Sequence, residues 1–94
     1  MRTSSERSAA DAEAILPDDV DLHARPAANF VRTAMGFSAK LWVGTTEREA
    51  DAKSLLSVLA LGATRGTSLR LRAEGEDAAA AVETLVATVA GLRE

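Results

Sequence analysis

The sequence predicts an α+β fold of order βαββαβα, an open-faced sandwich whose four-stranded antiparallel sheet carries three helices on one face. Three observations lead there. Thr67-Ser68-Leu69-Arg70-Leu71-Arg72-Ala73 alternates with period two, as a strand with one buried face requires. Ala27, Phe30, Val31, Ala34 and Met35 recur at helical spacing, as do Val82, Leu85, Val86, Val89 and Leu92. At 94 residues the chain can build one core and not two. One sheet face and three helix stripes can share that core, although spacing does not give the strand order.

Taken in order, residues 1–9 are polar, with Ser4, Ser5 and Ser8, and are expected to form a disordered or tag-like tail before a single domain at 10–94. Ala12 to Leu16 is a short apolar stretch stopped by Pro17-Asp18-Asp19, which suits a first strand. A helix is predicted from Ala24 to Met35. Pro26 falls in its first turn, where a missing N–H costs nothing, and Gly36 supplies the stop. Phe37 to Gly44 sets Ala39, Leu41 and Val43 against Ser38, Lys40 and Trp42, a second half-buried strand. Glu47 to Asp51 is expected to be an edge strand or turn. Ser54 to Leu61 is too leucine-rich for an exposed loop and reads as a two-turn helix ended by Gly62, with Val58 and Leu61 in the core. Asp77 is expected to cap the last helix.

Composition removes several function classes. No apolar run approaches the ~20 residues needed to span a bilayer, so membrane insertion is not expected. The amino terminus carries Glu6, Asp11 and Glu13 without an apolar segment, so it is no secretory signal and a cytoplasmic location is expected. Zero cysteines exclude disulfides and thiolate chemistry, and one histidine excludes a multi-histidine metal site; neither a metal nor a cofactor is expected. A net charge of -3 and three aromatics, Phe30, Phe37 and Trp42, argue against nucleic-acid binding. Yet from His23 to Thr46 there is no acid, only Arg25, Arg32 and Lys40. That stretch implies a locally basic surface on an acidic protein.

Chemistry concentrates at Leu22-His23-Ala24-Arg25-Pro26-Ala27-Ala28, where the only imidazole meets a helix opened by proline. The first amides of a helix lack internal acceptors and carry the positive end of its dipole, so they favour an anion there. A phosphoryl group on His23 would be stabilised by those amides and by the Arg25 guanidinium. Imidazole suits a transient load, being a good nucleophile and, once phosphorylated and protonated, a good leaving group. A lone histidine at such a place also serves commonly as a cap or surface residue. The acid-free stretch and the short leucine-rich helix are what favour a reactive role.

Those residues carry a resemblance. LHARPAA at Leu22–Ala28 resembles the active-site signature of HPr, the histidine-containing phosphocarrier of the bacterial phosphoenolpyruvate-dependent sugar phosphotransferase system. Phe30-Val31, Gly36-Phe37, Ala52-Lys53-Ser54-Leu55, Leu61-Gly62, Arg65-Gly66-Thr67 and Ala73-Glu74-Gly75-Glu76-Asp77 follow in the same order, from about Ala10 to Glu94. The resemblance implies phosphorylation of His23 by enzyme I, with sugar-specific IIA domains as acceptors and Arg25 neutralising phosphoryl oxygens. It places Ser54 at a regulatory serine served by an HPr kinase/phosphorylase, although Ser54 also suits a helix N-cap. It implies a docking patch of Leu55, Leu56 and Leu59, with Ala24 and Ala28 beside the histidine and Arg32 and Lys53 at the rim. The expected protein is a monomeric, stoichiometric carrier rather than a turnover enzyme. Two alternatives stand beside it: a regulatory binding module acting through Ser54, and a carrier for a specialised nitrogen-related or dihydroxyacetone pathway. Asp21 departs from the glycine usual before Leu-His, so a carboxylate able to repel phosphate stands two residues from His23.

Overall fold

The computed structural model describes residues 8–94. Its elements are β1 (Ala9–Ile15), α1 (Ala24–Ala34), β2 (Lys40–Gly44), β3 (Glu49–Asp51), α2 (Leu55–Ala60), β4 (Ser68–Glu74) and α3 (Ala78–Ala90). The strands form one antiparallel sheet in the order β1-β4-β2-β3. Strand β4 is therefore central, which fits its clean alternation: Leu69, Leu71 and Ala73 are buried while Ser68, Arg70 and Glu74 are exposed.

Register follows from that alternation, because residues opposite each other in an antiparallel pair share a face. Ala14 faces Leu69, Ala12 faces Leu71, Leu41 faces Ala73 and Val43 faces Leu71, and these pairs line the inner face. The helices supply Ala27, Phe30, Val31 and Ala34 from α1, Val58 from α2, and Ala78, Ala81, Val82, Leu85 and Val89 from α3. Each fully buried Leu, Val or Phe contributes roughly 1.5–3 kcal/mol of transfer free energy. The outer face instead holds charge pairs, Glu13 opposite Arg70 and Lys40 opposite Glu74. There the Arg72 guanidinium sits 4.0 Å from the centre of the Trp42 ring and donates to both carboxylate oxygens of Glu49 at 3.1 and 3.0 Å. That cation–π contact and bidentate pair cover the tryptophan from solvent.

Several elements differ in detail from the sequence-based expectation. Strand β1 starts at Ala9, which therefore belongs to the sheet, and the Ser8 carbonyl just before it accepts from Gly75 N–H at 2.9 Å; residues 1–7 of the expected tail lie outside the described residues. Helix α1 stops at Ala34, and Met35, expected on the apolar stripe, is 65% exposed at its end. Leu61 only partly enters the core because it too follows the last helical residue, whereas Val58 is fully buried. Asp77 stands at the N-cap of α3, but its side chain makes no cap bond. Its carboxylate accepts instead from Ser38 N–H at 2.9 Å, Ser38 Oγ at 3.2 Å and Ala39 N–H at 2.8 Å, which pins the entry to β2. Gly75 makes this approach possible. Its φ is +140°, and a Cβ there would lie 2.8 Å from the Ala39 Cα.

Candidate functional site

His23 ends an extended loop and begins α1. Leu22, immediately before it, is fully buried and donates its N–H to the Ala63 carbonyl at 2.9 Å, so the histidine is held from behind by packing and by the chain leading to β4. His23 itself is exposed and occupies the N-cap position with extended backbone, φ -140° and ψ 176°. Ala24 follows with φ +32°, the one non-glycine positive φ among the described residues. Such a conformation costs an alanine roughly 1 kcal/mol, a strain placed directly beside the imidazole.

The helix terminus is open. No side chain caps α1 and no acidic residue lies in its first turn. Ala27 N–H donates to the His23 carbonyl at 3.3 Å, and Pro26 has no N–H. The amides of Ala24 and Arg25 therefore have no intrahelical acceptor, and the positive end of the helix dipole is unopposed within its own turn. Arg25 is exposed and forms no ion pair or hydrogen bond among the described residues, so its guanidinium is available to an arriving anion. Two surface depressions lie on the outer face of the sheet, one lined by Glu13, Thr45, Ser68 and Arg70 and one by Lys40, Trp42, Asp51 and Lys53. Neither includes His23, which stands on open surface.

The other expected site residues divide. Ala24 is exposed and Ala28 half-buried, both on α1 with the histidine. Leu55 and Leu56 are exposed, the latter 79%, on a helix that packs against α1. Leu59 is half-buried against the core, next in sequence to Val58, the residue of α2 that is fully buried. Lys53 is turned inward: its Nζ donates to the Phe37 carbonyl at 2.6 Å, which commits the charge to holding the β2 approach rather than a rim. Arg32 is exposed at the last turn of α1 and donates to Asn29 Oδ1 at 2.8 Å. The Ser54 hydroxyl accepts from Ser57 N–H at 3.2 Å and caps α2. Among the described residues no group of three or more side chains could hold a metal ion, and no helix is long and apolar enough to cross a membrane.

Asp21 does not aim its carboxylate freely at the histidine. Oδ1 accepts from Arg65 N–H at 2.8 Å, and the Arg65 guanidinium lies 3.4 Å from Oδ2. These contacts with Arg65, the side-chain bond foremost, hold the Asp21 carboxyl below its ordinary value. The sequence reading missed Arg65 as a partner of this site. Its place in Arg65-Gly66-Thr67 was visible, but a contact across 44 positions has no local signature.

The family model for the PTS HPr component phosphorylation site matches residues 10–91, a span that holds the whole sheet register from Ala10 onward and the His23 loop. The chain belongs to the HPr family. A phosphocarrier protein HPr of Haemophilus influenzae is 47% identical over 68 residues, covering 72% of this chain and 80% of that relative. A crystal structure of a phosphocarrier HPr from Bacillus anthracis superposes with a TM-score of 0.82 at 30% identity, covering 87% and 98% of the two chains. The multiphosphoryl transfer protein of Haemophilus influenzae is also 47% identical, over 77 residues, but this chain spans only 15% of its length. An HPr-family chain is a phosphocarrier of the phosphotransferase system, and its open-faced sandwich is the one described above.

Proposed function

We propose that His23 accepts a phosphoryl group from phosphorylated enzyme I and yields it to IIA domains of the sugar phosphotransferase system. The observation carrying this reading is an exposed imidazole at the N-terminus of α1, where no side chain caps the helix, two amides have no intrahelical acceptor, and the exposed Arg25 in the first turn has no partner among the described residues. In the transfer, a P–N bond forms at the imidazole as the phosphorus bond to the donor breaks, and the reverse exchange loads the acceptor. Little covalent work falls to the protein, so positioning and charge stabilisation suffice. Leu55 and Leu56, with Ala24 and Ala28, form the apolar part of the docking surface and Arg32 its basic rim; Lys53 and Leu59 have structural duties instead. The carrier acts as a monomer, is not itself a turnover enzyme and works in the cytoplasm.

Ser54 is the proposed regulatory position. A phosphate added by an HPr kinase/phosphorylase would lie next to Leu55 and Leu56 and place charge in the patch that enzyme I must cover. The deciding experiment incubates the protein with phosphoenolpyruvate and enzyme I and looks for an acid-labile, base-stable phosphate. It is expected on the natural chain and absent from His23→Ala. Phosphate retained by that variant overturns the assignment. Arg25→Ala should slow loading by about 10–100-fold, the worth of one charge-assisted hydrogen bond, with an unchanged unfolding midpoint.

A further inference from the structure

The chain places an acid two residues before its phosphoryl-accepting histidine, where it would oppose the incoming charge. The structure also places a guanidinium on that acid. Asp21 accepts three hydrogen bonds from Arg65, from the backbone N–H at 2.8 Å, Nε at 3.5 Å and Nη2 at 3.4 Å, and its own N–H donates to Glu94 Oε2 at 3.2 Å. Arg65 belongs to the turn just before β4, 44 residues away in sequence, so this contact ties the His23 loop to a second, independent segment. Leu22, between Asp21 and His23, is tied to the same segment through the Ala63 carbonyl. The two bonds flank the histidine's predecessor and leave the loop little freedom.

We propose that Arg65 is a positioning residue for the phosphoryl donor at His23, acting through Asp21: it cancels the Asp21 charge that would otherwise repel that donor. The charged groups around the loop are Asp19, Asp21, Arg25, Arg65 and Glu94. Asp19 and Glu94 both act on Arg65, and His23 acts on Asp21, so the group is electrostatically continuous. Arg25 alone among them lies on α1. Without Arg65, the three acids Asp19, Asp21 and Glu94 face Arg25 as the one remaining cation of this group, and the local charge becomes more negative.

This inference rests on His23 as the phosphoryl acceptor, but its test does not need enzyme I. Phosphoramidate, a small anionic donor, transfers its phosphoryl group to imidazole with loss of ammonia: the donor's P–N bond breaks as the new one forms, and the imidazole proton leaves with the amine. His23 loading by phosphoramidate is followed by phosphorus NMR for the natural chain, Arg65→Gln, Arg65→Lys and Asp21→Asn/Arg65→Gln. In about 10 mM salt, where screening is weak, Arg65→Gln is expected to load on the order of two- to threefold more slowly, the effect of one uncompensated charge in water. Arg65→Lys and the double variant should recover the natural rate, and about 1 M salt should erase the difference. An unchanged rate in Arg65→Gln, or a slow rate that the double variant does not recover, overturns the proposal. Failure of enzyme I to load the natural chain would instead strike the carrier reading, and the phosphoramidate comparison would still be legible.

Discussion

Leu22 and Leu56 offer a direct test of how this fold separates support from contact. Leu22 is 0% exposed and adjoins His23, whereas Leu56 is 79% exposed on α2. Truncating a fully buried leucine to alanine removes its transfer free energy and leaves a cavity, together about 2.7–5 kcal/mol. In a domain of 60–100 residues each kcal/mol moves the unfolding midpoint by roughly 4–8 °C, so Leu22→Ala should lower Tm by at least about 11 °C. Leu56→Ala removes no buried surface and should stay within about 0.5 kcal/mol, a shift of a few degrees at most. Transfer from enzyme I should rank the opposite way at a temperature where both variants are folded, with Leu56→Ala the slower. Thermal unfolding followed by circular dichroism, with urea midpoints as a second measure, decides the stability half. A Leu22→Ala shift below about 5 °C would refute the claim that this side chain anchors the site loop from within the core.

Two further outcomes concern the link between β2 and α3. The Asp77 carboxyl is held below its ordinary 3.8 by hydrogen bonds, first from the Ser38 amide and then from Ala39 N–H and the Ser38 hydroxyl. A depressed folded value means the stabilisation is complete above 3.8 and is lost as pH falls through the lower folded value. Urea midpoints for Asp77→Asn should therefore change less steeply than those of the natural chain below about pH 3.8; parallel acid limbs would contradict the assignment. Gly75→Ala should lower Tm well beyond Gly62→Ala. The first adds a Cβ 2.8 Å from the Ala39 Cα at φ +140°, while the second adds one into open space at φ +64°. Equal melting of the two variants would show that the backbone approach at Gly75 relaxes freely.

Local patterns disclosed most of the architecture. Leu69, Leu71 and Ala73 alternate with charged neighbours, and a central strand needs nothing more to be read. The α1 stripe likewise marks its buried face at Ala27, Phe30, Val31 and Ala34. Ala9 and Ala10 were harder to read, because alanine beside alanine carries no alternation, and only pairing with Glu74 and Ala73 puts them in the sheet. Asp77 has the residue type and place of a helix cap, yet its carboxylate reaches back 38–39 residues to the β2 approach. Lys53 shows the same limit: a lysine beside a short helix reads as a surface cation until the Phe37 carbonyl appears next to it. At the candidate site, His23 and Arg25 were legible because the helix start that exposes them is written locally in Pro26. The Asp21–Arg65 contact was not, since it joins two loops that only the finished sheet brings together.

The imidazole's station on open ground, rather than in a cleft, means that the protein cannot select its visitors by enclosing them. If His23 is the phosphoryl acceptor proposed above, donor and recipient must each reach it across the same exposed surface, in turn and not together. On that reading, an excess of unloaded recipients would compete with the donor for the surface around His23.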